Sequence, residues 1–305
     1  MSKIITVFGA TGNQGGSVIN SLLKDSAITK EYQIRGITRD TSKPASQALA
    51  ARGVEMVAAD MSSVEAVAPA VKNAHTVFVV TNYWEKASAE AEIAQVKAVT
   101  DASKAAGVQH IIHSTLIHVT KATNGRLSHV LHFDAKADGT EYIRQSGVPV
   151  TAFLPGYFLS NFFNSFQKQT DGTYAVMMPL PADKKIIPTF DAQSDTGKYV
   201  KAAIKTFNGE SGRQFYGASE YISHQKLVDD WSEVMGKKAV FKQIPAELFQ
   251  SFLPPQIGKE LTENMLLLGD VGYYEGASLD ETNALLEEKP TTWKEFVVAN
   301  KDKFQ

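Results

Sequence analysis

Three features of the sequence predict an α/β fold built on a doubly wound parallel sheet with a smaller C-terminal α+β lobe. Short apolar runs alternate with longer amphipathic ones through the first half of the 305-residue chain, the pattern left by βαβ units whose helices cover both faces of a sheet. A glycine-rich turn, Gly9-Ala10-Thr11-Gly12-Asn13-Gln14-Gly15-Gly16, lies directly between the first apolar run and the first amphipathic one. From about Gly156 the alternation gives way to aromatic and proline-containing segments, which predicts the second lobe.

Strands are predicted at Lys3 to Phe8, Gln33 to Thr38, Val54 to Ala59, Thr76 to Val80, His110 to Ser114 and Val150 to Phe153. Each is a continuous Val/Ile-rich run, as expected of strands buried on both faces. Helices are predicted between them at Gln14 to Lys24, Ser42 to Ala51, Val64 to Val71, Ala87 to Ala106 and Val130 to Gln145. Thr41 or Ser42 is expected to cap the second of these, with Pro44 in its first turn, and Gly107 and Gly147 to end helices before the next strand. Further on, the pattern predicts an aromatic-rich helix (Tyr157, Phe158, Phe162, Phe163, Phe166), a Pro-containing stretch from Met178 to Pro188, and helices around Gln225 to Met235, Glu260 to Leu268 and Thr292 to Asn300. Residues 1–155, completed by part of 186–222, are assigned to the sheet domain, and 156–185 with 223–305 to the lobe.

Composition narrows the function. A net charge of -2 supplies no global field for nucleic acid, and direct nucleic-acid binding is not expected. The absence of cysteine excludes disulfides, thiolate nucleophiles and Cys-based zinc sites. No apolar run approaches the roughly 20 residues that span a bilayer, and the first strand begins too early to leave room for a signal peptide. The expectation is an intracellular protein without membrane attachment, in the cytoplasm, with the nucleus left open.

The glycine turn has the spacing G-x-x-G-x-x-G after a strand and before a helix, where a pyrophosphate needs a tight turn, close backbone approach and a helix N-terminus. Gly9, Thr11, Gly12, Asn13, Gln14 and Gly15 are therefore candidate dinucleotide contacts on a Rossmann-type sheet. At the end of the second strand, where an NAD site places an Asp or Glu on the ribose, this chain has Arg39. A guanidinium there suits the 2′-phosphate of NADP, with Lys43 as a second positive charge; the adjoining Asp40 leaves a solvated surface charge as the other reading. Asp60, ending the third strand, faces the adenine edge or caps a helix. Thr81-Asn82-Tyr83-Trp84, after the fourth strand, contacts sugar and phosphates or is a surface loop.

Taken together, these motifs resemble a family. The glycine turn with Arg39 is similar to the atypical short-chain dehydrogenases. Val80-Thr81-Asn82-Tyr83-Trp84-Glu85, His132-Phe133-Asp134-Ala135-Lys136 and Leu154-Pro155-Gly156-Tyr157-Phe158 resemble its NmrA-like branch, most of all the NmrA-like redox sensor proteins of animals. The resemblance implies NADP(H) as ligand, Lys136 at the ribose of the nicotinamide half, and Pro155, Gly156, Tyr157 and Phe158 beside that ring with Asn161 nearby. It also implies a regulatory protein partner, with a homodimer left open.

Carbonyl reduction on this scaffold uses a Tyr-x-x-x-Lys pair on one helix face, the ammonium lowering the phenol pKa. No tyrosine here has a lysine four residues later, and His132 stands at that position before Lys136. His132 is either a proton donor or a helix residue with ordinary contacts; Ser114 or Thr115 could orient a carbonyl. No catalytic residue is assigned on this basis. No metal site is expected either: His110 and His113, three apart on one strand, point to opposite faces, and His129 with His132 lack a third ligand. The aromatic cluster around Tyr157 to Phe166 reads as core rather than a nucleobase platform. Two function classes remain. The first is a redox sensor that reads NADPH/NADP and signals through a protein partner; the alternative is an NADPH-dependent oxidoreductase reducing a quinone or other small conjugated electrophile.

Overall fold

A computed structural model, describing residues 2–304, contains a seven-stranded sheet in which every neighbouring pair is parallel. Its strands are β1 (Lys3–Val7), β2 (Tyr32–Thr38), β3 (Glu55–Ala58), β4 (Ala74–Val79), β5 (His110–Ser114), β6 (Val150–Pro155) and, after four strands that belong to smaller sheets, β11 (Gln214–Gly217). The spatial order is β11-β6-β5-β4-β1-β2-β3, so the chain reverses direction across the sheet between β1 and β4. That switch point is where ligands bind in open α/β sheets.

Helices cover both faces. On one, α1 (Asn13–Lys24) packs on α8 (Ala192–Lys205); on the other, α5 (Ala89–Ala105) packs between α4 (Val64–Val71) and α7 (Leu131–Ser146). Strand β4 shows why its run is continuous: Phe78 joins the core on the α1 face, while Val77 and Val79 join the core on the α5 face. Adjacent strand side chains point to opposite faces, so both must be apolar. The same geometry separates His110, stacked on Phe207 at 3.8 Å, from His113, bonded to Thr140 of α7 at 2.9 Å.

The remaining strands form two small sheets. β7 (Tyr157–Phe158), β10 (Ile187–Phe190) and β12 (Tyr221–Ile222) make one; β8 (Gln167–Lys168), β9 (Tyr174–Met178) and β13 (Ala239–Gln243) make the other. With α9 (His224–Met235), α10 (Ala246–Ser251), α11 (Gly258–Gly269), α12 (Asp280–Asn283) and α13 (Trp293–Ala299) they enclose an aromatic core. Phe166 stacks on Trp231 at 4.2 Å and Phe162 meets Trp293 edge-on at 5.3 Å.

Several elements depart from expectation. The predicted aromatic helix from Tyr157 is instead β7 followed by a 3-10 turn over Leu159–Asn164. Tyr157 and Phe158 pair with Thr189 and Phe190 of β10, a partner 32 residues away in the Tyr157–Thr189 match that apolar content alone does not reveal. Neither Thr41 nor Ser42 caps α3 (Pro44–Ala50): Asp40 accepts both the Ser42 N–H and its hydroxyl, at 2.9 and 2.6 Å, and Lys43 occupies the cap without a side-chain bond. An unpredicted α2 (Ser26–Glu31) exists because Asp25 accepts from the Ala27 and Ile28 amides; with one buried residue it has no apolar stripe to read. A short α6 (Val119–Ala122) completes the helices.

Candidate functional site

The carboxyl ends of β3, β2, β1, β4, β5 and β6 open in that order onto one cavity of about 1570 Å³. This exceeds the roughly 300–1,000 Å³ of a pocket for one small ligand, leaving room for a dinucleotide and a second molecule.

At the switch point the glycine turn builds an anion cradle. Gly9 has φ +64°, and a Cβ on Gly15 would lie 2.2 Å from the Gly9 carbonyl oxygen, so the first turn of α1 can approach β1 this closely only with glycine there. Gly12 is the N-cap and offers no side-chain bond, leaving the first-turn N–H groups, which lack helical acceptors, for a ligand. Thr11, Asn13 and Gln14 line the same wall. Gln14 reaches across to accept a hydrogen bond from Ser114 Oγ at 2.8 Å.

Toward the β3 edge, Arg39 and Asp60 line the cavity and Lys43 does not. Lys43 is exposed where the chain turns into α3. Arg39 forms a close ion pair with Glu85, from the 3-10 turn Tyr83–Glu85 after β4. Asp60 does not cap α4, whose cap is Ser63. Its carboxylate instead accepts from the Ser62 amide at 2.8 Å, and its bonds to Ser62 hold it below the usual range.

Toward β5 and β6, Thr81, Asn82, Tyr83, Lys136, Pro155, Gly156, Tyr157, Phe158 and Asn161 all line the cavity. Lys136 Nζ donates to Thr81 Oγ1 at 2.9 Å and to Glu92 Oε1 at 2.5 Å. Thr81 also donates to that oxygen. Burial pushes the Tyr157 phenol up to about 12, against a lowering bond from Asn161, so it stays protonated and is no ready acid. Thr115 is drawn away from the cavity, accepting from Thr140 at 2.8 Å, and the Ser114 hydroxyl is engaged by Gln14; neither is free to orient a carbonyl.

Two acidic groups that sequence reasoning missed, Glu92 and Glu260, complete this end with Trp84 of the recognised loop. Neither glutamate has a motif of its own. Glu260 of α11 accepts the His132 backbone N–H at 2.8 Å and the His132 Nδ1–H at 2.6 Å, and Tyr83 O–H donates to its other oxygen at 3.3 Å. Trp84, half-exposed, lies 4.9 Å from the His132 ring. Beyond them the wall is mostly apolar, with Met178, Phe249, Leu253, Met265 and Tyr273, interrupted by Asn164, Ser165, Gln167 and Asn264. The donor set and the cradle fit a dinucleotide along the sheet edge and an apolar molecule in the lobe.

Comparison with known proteins agrees with this architecture. The chain is 32% identical over 260 residues, 79% of its length and 76% of the relative's, to an NmrA-like family domain-containing oxidoreductase, malD, of Malbranchea aurantiaca. Its fold matches NmrA, a negative transcriptional regulator, in complex with NADP, with TM-score 0.81 at 20% identity over 98% of this chain and 95% of that one. It also matches the NADPH-dependent quinone oxidoreductase QOR2 of Escherichia coli complexed with NADPH, with TM-score 0.76 at 23% identity over 97% and 99%. The model of the NmrA-like family covers residues 1–297, and the chain belongs to that family.

Proposed function

We propose that the chain binds NADP(H) along the carboxyl edge of the sheet and reduces a flat, conjugated, largely apolar electrophile held in the second lobe. The observation that carries this is the continuity of one cavity from the Gly9–Gly15 cradle, past Lys136, to Met178, Phe249 and Met265. When bound, NADPH supplies a hydride. The first-turn amides of α1 hold its pyrophosphate, Arg39 its 2′-phosphate, Asp60 its adenine edge and Lys136 its nicotinamide ribose. Thr81 and Glu92 keep the ammonium in place, and Pro155 to Phe158 with Asn161 form the wall beside the ring. A curated relative described as an oxidoreductase moves this reading ahead of the sensor reading that the sequence put first. A test is Met265→Trp, which narrows the lobe end: it should raise the acceptor KM far more than the NADPH KM, and equal effects would refute the location of the acceptor.

A specific contact favours regulation as the second reading. Glu85 holds Arg39, so a 2′-phosphate must compete with a carboxylate carried on the same turn as Trp84. Occupancy by NADP would then release that turn and alter a surface for a protein partner, within one chain or a homodimer. Trp231 and Trp293 are buried and Trp84 is exposed, so Trp84 emission should shift with NADP⁺ and less with NAD⁺. Unchanged emission with both counts against the coupling.

A further inference from the structure

We propose that His132, fixed by Glu260, is the group that delivers a proton to the reduced acceptor, and that the substrates are neutral conjugated carbonyl compounds. This rests on the oxidoreductase reading above.

The two residues come from different parts of the chain, α7 and α11, and both are buried: His132 is 8% and Glu260 9% exposed. One carboxylate oxygen takes both the backbone N–H and Nδ1 of His132, at 2.8 and 2.6 Å. The second oxygen takes the Tyr83 hydroxyl at 3.3 Å. This pins the imidazole in the orientation that keeps the Nδ1 proton on the Glu260 side and leaves Nε2 to change protonation. Among the described residues Nε2 has no hydrogen-bond partner, and His132 lines the cavity with Lys136 and Phe133. Lys136 follows by four positions, so the two share one face of α7 a single turn apart. The charged and titratable groups around the ring are Glu260 from α11, Tyr83 from the turn after β4, and Lys136 with Glu92 of α5 behind it. An imidazole held at Nδ1 by a carboxylate and lining an open cavity is the arrangement of a positioned general acid.

A hydride added to the conjugated carbon of the acceptor would place its own electron pair in the new C–H bond and displace the π pair onto the carbonyl oxygen. The Nε2–H bond of the imidazolium breaks and an O–H bond forms at that oxygen. The bonding pair stays on Nε2, leaving a neutral imidazole that keeps its Nδ1–H and still donates it to the Glu260 carboxylate, and solvent restores the lost Nε2 proton. Tyr83, kept protonated by burial and by the Glu260 carboxylate, serves to orient Glu260.

The test compares two acceptors on the intact protein. A planar enone needs a proton at oxygen; a triarylmethyl dye cation needs none, since hydride addition alone neutralises it. His132→Gln and Glu260→Gln should each lower enone kcat, His132→Gln by about 100-fold or more, and this loss should exceed the loss with the dye at least tenfold. Equal losses with both acceptors overturn the proton donor and leave the oxidoreductase reading standing, whereas NADPH binding with no turnover of either acceptor overturns both. A readout independent of turnover is the ¹⁵N spectrum of the imidazoles without nucleotide, assigned by the signal missing from His132→Gln. Neutral His132 should be the Nδ1–H tautomer and should lose that preference in Glu260→Gln; an Nε2–H tautomer overturns the assignment.

Discussion

The ammonium of Lys136 and the carboxylate of Glu92 meet at 2.5 Å, with the glutamate side chain 1% exposed. The second Glu92 oxygen is buried and has no hydrogen-bond partner among the described residues. A charge held this way tolerates loss of its partner poorly, since what remains is an unpaired ion in a low dielectric.

Removing one partner should therefore cost more than removing both. Glu92→Leu and Lys136→Met are each expected to destabilise the fold by about 3–5 kcal/mol, with the double variant destabilised less than either single one. Urea unfolding of the four proteins measures this; additive losses would mean the pair is not coupled.

Two neighbouring glycines should respond oppositely to alanine. At Gly15 the added methyl would stand 2.2 Å from the Gly9 carbonyl oxygen, whereas at Gly16 its nearest neighbour is the Ala10 oxygen at 3.5 Å. Gly15→Ala should destabilise by about 1–3 kcal/mol through forced backbone movement and weaken NADPH binding. Gly16→Ala should be neutral or stabilise by up to about 1 kcal/mol, from helix preference. Thermal melts with and without NADPH distinguish the two; matching effects would contradict the cradle geometry.

The ion pair of Arg39 with Glu85 makes opposite predictions for its members. Arg39→Gln should weaken NADPH binding about tenfold or more while sparing NADH, because charged hydrogen bonds to a phosphate are worth about 1.5–3 kcal/mol. Glu85→Gln removes a competitor for the guanidinium and should tighten NADPH by about two- to fivefold, as befits an exposed pair. Equal binding of NADPH and NADH by the unmodified protein would sink the assignment of Arg39.

Buried histidines set an acid limit on stability. Burial lowers His110 and His113 from 6.5 to about 3, and His224 to about 4. Between those values and 6.5 the unfolded chain binds protons that the fold excludes, so stability is fully present above about pH 6.5 and is lost as pH falls toward 4 and then 3. Each histidine contributes at most about 1.4 kcal/mol per pH unit in that window. The melting temperature should fall between about pH 7 and pH 5, more steeply than in His113→Gln; an unchanged slope would show that His113 is not the excluded site.

What could be read from the sequence was what lies close together along it. The Gly9–Gly15 turn, its strand and its helix are contiguous, and Arg39 and Asp60 could be found by counting to strand ends. The continuous apolar runs of β4 and β5 announced burial on both faces. Lys136 and Pro155 to Phe158 were reached by resemblance, and the structure brings them to the same cavity. Glu260 was hidden because its partner His132 lies 128 positions away, and a glutamate opening an amphipathic helix looks solvated. Glu92 was hidden for the same reason, at the start of α5. Glu85 was within a recognised motif, yet its pairing with Arg39, 46 positions earlier, exists only across the folded cleft. Tyr157 and Phe158 were read as helix because their strand partner is supplied by tertiary pairing rather than local propensity.

The most direct test of the account is NADPH oxidation by the purified chain over a panel of planar quinones and enones, with nucleotide occupancy confirmed by titration. Turnover is expected, and Lys136→Ala should abolish it while the fold, followed by circular dichroism, is retained. Saturated NADPH binding with no oxidation across the panel would contradict it and leave nucleotide-dependent regulation as the function of the site.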